Sequence, residues 1–147
     1  MKRVLLVVIL FLVTVAASLF GQQQLDKAKE LVKQNKFTEA ITVYQNYLQS
    51  SQRDENAWLL LAKAFQQTGM LDSAENAAKK VIQLDDEMLE GYTLLAQVQL
   101  EKKNVQGAYA TAKAGLKMTK RKESKSPPLL IVLGQSLIVL EIGRAHV

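Results

Sequence analysis

Trp58-Leu59-Leu60-Leu61-Ala62-Lys63-Ala64-Phe65, then Gly69, then Ala74-Glu75-Asn76-Ala77-Ala78-Lys79-Lys80-Val81-Ile82 is the stretch whose reading decides the fold. In its first half Trp58, Leu61, Ala62 and Phe65 fall at the spacing of one helical face. In its second half Ala74, Ala77, Ala78, Val81 and Ile82 do the same. Gly69 suits the left-handed residue that ends a helix, and Asp72, like Thr38 one unit earlier, is of the N-cap type that accepts from free backbone N–H groups. One unit is therefore expected to be two helices joined by a tight turn.

The unit recurs in both directions from this stretch. Ala28, Ala62 and Ala96 are spaced by 34 residues, and so are Ala40, Ala74 and Ala108. Phe37, Leu71 and Val105, then Leu48, Ile82 and Leu116, and the aromatic pair Trp58 and Tyr92 keep the same period. Alanine at the recurring places has a steric reason, since a larger side chain would hold the paired helices apart. The spacing predicts helices over about 22–35, 38–51, 55–68, 72–84, 89–102, 105–119 and 128–140.

These residues resemble the tetratricopeptide repeat family, whose 34-residue helix–turn–helix unit reads W-x2-L-G-x2-Y, then A-x3-F, then P. The second unit has Trp58-x2-Leu61-Ala62-x2-Phe65 and Ala74-x3-Ala78, and the third Tyr92-x2-Leu95-Ala96-x2-Gln99 and Ala108-x3-Ala112. The first departs at Gln24, where the aromatic would stand, but keeps Ala40-x3-Tyr44. Gln52, Asp86 and Lys120 stand where the unit-ending proline would be. The resemblance implies an all-α, right-handed α-solenoid with three repeats over 22–122, bounded at about 21–54, 55–88 and 89–122. A polar connection, Lys120 to Pro128, follows, and Leu130-x2-Leu133-Gly134-x2-Leu137 restarts the pattern after a four-residue insertion. Residues 123–141 are thus expected to be a linker and the first helix of a truncated fourth repeat. The apolar residues from Leu129 to Leu140 surround that helix, so it should bury one side, leave another exposed, and offer a surface for self-association. Ile142-Gly143-Arg144-Ala145-His146-Val147 is what the sequencing-adapter string ATCGGAAGAGCACACGTC encodes in frame, so 142–147 are expected to be a tail foreign to the natural protein.

At the other end, Lys2 and Arg3 precede Val4 to Phe20, where only Thr14 and Ser18 interrupt the apolar run, and Ala16-Ala17-Ser18 supplies small residues. This is the plan of a signal peptide over 1–21, cleaved after Ser18 or Gly21, with an uncleaved anchor through residues 4–20 as the alternative. Either places the remainder outside the cytoplasm: periplasmic, secreted or membrane-anchored. The 147-residue chain carries a formal charge of +5, about +3 without Lys2 and Arg3, which is no nucleic-acid signature.

With no cysteine, one histidine inside the foreign tail, and no GxGxxG, P-loop or HExxH, the chain lacks the groups that catalysis requires. No enzyme activity, cofactor or metal is expected. Asp85-Asp86-Glu87 with Glu90 lacks the alternating calcium-loop pattern and sits where carboxylates suit a helix start. Lys117, Lys120, Arg121, Lys122 and Lys125 read as cations at the end of the sixth helix. Trp58, Tyr92, Phe65, Phe37, Tyr44 and Tyr109 read as packing residues.

Function then falls to the concave face that first helices build in such arrays. The resemblance places Gln22, Leu25, Lys29, Val32 and Lys33 there in unit one, Asn56, Leu59, Lys63, Gln66 and Gln67 in unit two, and Glu90, Thr93, Gln97, Leu100 and Glu101 in unit three. Lys29, Lys33, Leu59, Lys63, Gln66, Gln67, Thr93 and Gln97 are the candidate groove for a protein or peptide partner. The carboxylate clamp of chaperone-tail-binding members has no counterpart, because Leu25, Lys29, Leu60, Glu90 and Leu94 occupy its places. The expected role is an exported, non-catalytic interaction scaffold; the alternative is the targeting arm of a larger enzyme or envelope-assembly factor.

Overall fold

Six alanines set how closely the helices approach. Ala28, Ala62 and Ala96, and their partners Ala40, Ala74 and Ala108, are all completely buried, so both 34-residue series lie at helix–helix contacts. The computed structural model describes the backbone of residues 2–122 and 126–145 and the side chains of residues 7, 12, 13, 15, 19–118 and 126–142. The described residues form α1 (Lys2–Lys33), α2 (Phe37–Ser50), α3 (Glu55–Gln67), α4 (Leu71–Leu84), α5 (Leu89–Glu101), α6 (Val105–Lys122) and α7 (Pro127–Ala145), with no strand among them. Each helix packs on the next, and the first helices of neighbouring units also meet, α3 on α5 and α5 on α7.

The turn inside each unit repeats as faithfully as the alanines. Asn35, Gly69 and Lys103, spaced by 34, all take positive φ (59°, 73° and 61°). The next residues, Lys36, Met70 and Asn104, donate their N–H groups back to the carbonyls of Leu31, Phe65 and Gln99 at 2.9, 3.0 and 2.8 Å. This is the Schellman ending of a helix, used three times with glycine in only one of them. The expected N-caps need correcting here. Thr38 and Asp72 are the second residues of α2 and α4, and Lys36 and Met70 stand at the caps without a side-chain bond. The backbone turn itself fixes the boundary, and only Asn104 adds a cap-like bond, its Oδ1 accepting from Gly107 N at 3.0 Å.

The aromatic positions also share one bond. Trp58 Nε1 donates to Gln52 O and Tyr92 hydroxyl to Asp86 O, both at 3.0 Å and both six residues upstream. Asp54 caps α3 by accepting from Ala57 N at 2.9 Å, and its other oxygen accepts from the Tyr47 hydroxyl at 2.8 Å.

Three ends differ from the sequence reading. α1 begins at Lys2, because nothing between Val4 and Gln22 stops a helix. α6 continues to Lys122, so Lys117, Lys120, Arg121 and Lys122 belong to its last turns rather than following it, and Lys125 lies outside the described residues. α7 starts at Pro127, where proline's fixed φ suits a first helical residue, and passes through Gly143 to Ala145; His146 and Val147 lie outside the described residues. Among the described residues no helix is long and apolar enough to cross a membrane, and most side chains of Val4 to Phe20 lie outside them.

α7 buries Leu129, Val132 and Ser136 on the preceding unit. Gly115 makes this approach possible: a Cβ there would stand 2.6 Å from Leu129 Cδ2 and 2.8 Å from Tyr92 Cβ.

Candidate functional site

Repeat geometry places Lys63 of α3 and Gln97 of α5 at the same position of neighbouring units. On α5, Glu90, Thr93 and Gln97 follow at three and four residues and share one face. Between these helices and the start of α7 lies a groove of about 440 Å³, lined by Lys63, Leu89, Glu90, Thr93, Leu94, Gln97, Ser126, Pro127 and Pro128. Leu94 is buried and Leu89 half-buried, so the polar heads stand over an apolar floor. Thr93 Oγ1 donates to Leu89 O at 2.9 Å and keeps only acceptor capacity for a ligand. The side chains of Lys63, Glu90 and Gln97 make no hydrogen bond or ion pair with another described residue.

The other candidates are placed elsewhere. Lys29 faces Asp26 at 3.9 Å and Lys33 faces Glu30 at 3.5 Å, both exposed pairs within α1 and apart from the groove. Leu59 is only 8% exposed and belongs to the apolar core. Gln66 Nε2 donates to Glu101 Oε1, so these two amide and carboxyl groups tie α3 to α5, while Gln67 is exposed beside them. Lys63, Thr93 and Gln97 are therefore the candidates that the fold brings together, joined by Glu90. The Ser126–Pro128 wall was missed, although the four-residue insertion before the restarted pattern was its signal.

Two further crevices are architecture. One is lined by Gln45, Trp58, Leu61, Asn76, Ala77 and Lys80, and the other by Lys79, Tyr92, Leu95, Ala110, Thr111 and Ala114, the same six places one unit on. Their volumes, about 380 and 370 Å³, match as their origin requires.

Charge pairing links units two and three away from the groove. Lys102 Nζ reaches Asp72 at 2.7 Å and also Glu75, whose second oxygen meets Lys79 at 2.6 Å. Hydrogen bonds from Lys102 and Lys79 hold the Glu75 carboxyl below the usual carboxylate range, and the bonds that the Lys102 ammonium donates to Asp72 and Glu75 raise its own value. Asp85 turns its carboxylate onto Glu87 N at 2.9 Å. Among the described residues no cluster of three or more His, Cys, Asp or Glu is placed to hold a metal ion.

Comparison with known proteins fits this geometry. Residues 31–87 match the tetratricopeptide repeat family. The chain is 30% identical over 97 residues to an Hsp70-Hsp90 organizing protein of Triticum aestivum, an alignment covering 66% of this chain and 17% of that protein. It thus spans under a fifth of the length of the curated relatives it matches. Among solved structures it is similar to the Sgt2 TPR domain from Aspergillus fumigatus, with a TM-score of 0.78 at 14% identity, covering 85% of this chain and 82% of that one. It is also similar to the first TPR of Spaghetti (RPAP3) bound to an HSP90 peptide, with a TM-score of 0.75 at 15% identity, covering 82% and 93%.

Proposed function

Since residues 31–87 are tetratricopeptide repeats within a chain that has the fold of such domains, we propose that this protein is a non-catalytic scaffold that holds an extended segment of a partner protein. The observation that carries the reading is the convergence of Lys63, Thr93 and Gln97, with Lys63 and Gln97 unpaired within the described chain, over the apolar floor of one groove. A peptide backbone needs hydrogen bonds and its side chains need apolar surface, and this groove offers both. The structure of the Spaghetti repeat with an HSP90 peptide supports a peptide as the kind of ligand. Leu25, Lys29, Leu60, Glu90 and Leu94 stand where the resemblance would put the carboxylate clamp, and Lys29 alone supplies a polar donor there, so the contacts here run through Lys63 and Gln97 instead.

The test is Lys63→Glu combined with Gln97→Ala. Helicity stays unchanged and binding to the captured partner weakens by about 2 kcal/mol, the Lys63 part shrinking as salt rises. Binding that survives this change but is lost when Lys120, Arg121 and Lys122 become Ala would refute the groove and move the site to the end of α6.

The further expectations are part of the same proposal. Residues 1–21 export the chain, or residues 4–20 anchor it, so that the array works outside the cytoplasm; a reporter enzyme active only after export, fused after Lys122, tests this. The exposed side chains of Leu130, Ile131, Leu137, Ile138 and Val139 supply the surface for self-association. The alternative role, a targeting arm of a larger enzyme or assembly factor, rests on the small share of the matched relatives that this chain spans. The sequence encoded beyond this chain in its source tests it.

A further inference from the structure

We infer that the groove selects a segment carrying both signs of charge, an acidic residue and a basic residue three positions apart. The inference rests on the groove reading above and deepens it. The two formal charges are separated along the groove. At one level stand the Lys63 ammonium and the Gln97 amide, one repeat apart. Glu90 lies seven residues before Gln97 on α5, two turns or about 10 Å along the helix. Near that end Thr93 has already spent its hydroxyl proton on Leu89 O, and the wall contributes Pro127 and Pro128, which have no N–H. One end of the groove therefore carries the cation and the other the anion, while Gln97 and Ser126 can each donate and accept.

A wholly acidic segment satisfies Lys63 and sets a like charge against Glu90 over the apolar floor, while a wholly basic segment reverses the fault. A segment in the polyproline II form advances about 3.1 Å per residue and turns once every three, so side chains three residues apart share a face and span the ~10 Å between the two levels. About 440 Å³ suits such a short stretch rather than a helix.

The probes are labelled hexapeptides, N-acetylated and C-amidated so that terminal charges play no part: Gly-Glu-Leu-Ala-Lys-Gly, its reversed-order form with Lys before Glu, and versions with either charge replaced by Ala or with Glu and Lys adjacent. Fluorescence anisotropy with the full chain reads binding. One of the two paired orders should bind roughly tenfold tighter than either single-charge peptide and than the adjacent pair. Glu90→Gln should abolish the advantage over the acidic peptide alone, and Lys63→Gln the advantage over the basic peptide alone, with helicity unchanged in both. Equal binding of paired and single-charge peptides, or an advantage that survives both substitutions, would overturn the inference. If single-charge peptides bind equally well and are lost on Gln97→Ala, the groove stands and the charge pairing fails. If no probe responds to any groove substitution, both fail.

Discussion

Where the second unit packs Ala57, Trp58, Leu61 and Ala64, the first carries Gln23, Gln24, Lys27 and Glu30, and no helix among the described residues covers them. These polar groups, with Phe20, Val43 and Asn46, line an open hollow of about 710 Å³ that water can fill without loss. The other end of the array is finished in the opposite way. α7 exposes Leu130, Ile131, Leu137, Ile138 and Val139, and a Cβ on Gly134 would meet nothing within 4 Å. Gly134 continues the series of Ala28, Ala62 and Ala96, all completely buried. The same repeat position is thus closed three times and open once. Arrays of this kind gain stability from neighbour interfaces and close with a polar outer face, and among the described residues such a face lies on the first unit and an apolar one on α7.

The largest effect should separate closed from open positions. Ala62→Leu and Ala74→Leu should each destabilise the fold by roughly 1–3 kcal/mol, because a larger side chain at a filled helix contact forces the pair apart. Gly134→Leu should leave the melting temperature unlowered. Unchanged melting for both alanine variants would show the register to be wrong. Next, if α7 is an unfinished end, the full chain should associate at high concentration, and Leu130→Glu with Ile138→Lys should return it to a monomer of the same helicity in sedimentation. The counterpart change at the first end, Lys27→Glu, should alter nothing in that measurement.

A smaller effect tests the joint between interior units. Glu75 has a folded-state value below the ordinary carboxylate range, so its contribution is present above that range and is lost as pH falls through the lowered value. Stability curves of the natural chain and of Glu75→Gln should therefore differ at neutral pH and converge in acid. Curves that stay parallel would contradict the pairing. The smallest effect is expected at Tyr44, which is completely buried with a hydroxyl that has no hydrogen-bond partner among the described residues, and which burial keeps protonated above the usual tyrosine range. Tyr44→Phe should be neutral or stabilising by up to about 1 kcal/mol in chemical denaturation.

Much of the fold was legible because the alanine series records steric contact directly, and a side chain that must be small leaves the same mark in every unit. The helix turns were legible only in part. Gly69 announces a left-handed residue, but Asn35 and Lys103 take the same conformation under the control of the repeated backbone bonds, which no side chain advertises. Asp72 misled for a related reason: its carboxylate serves Lys102 in the next unit rather than its own helix start. In the site, Lys63, Thr93 and Gln97 followed from register. Gln66 did not, because its tie to Glu101 depends on how α3 and α5 lie against each other. The proline wall depends on where a connection folds back, which register does not encode.

Site-specific photocrosslinking tests the groove most directly. A photoreactive residue at Pro128 on the groove wall, irradiated in a lysate of the source cells, should give one crosslinked partner that is lost on Lys63→Glu, while the same residue at the exposed Gln83 on α4 should give none. A partner captured at Gln83 and not at Pro128 would contradict the account.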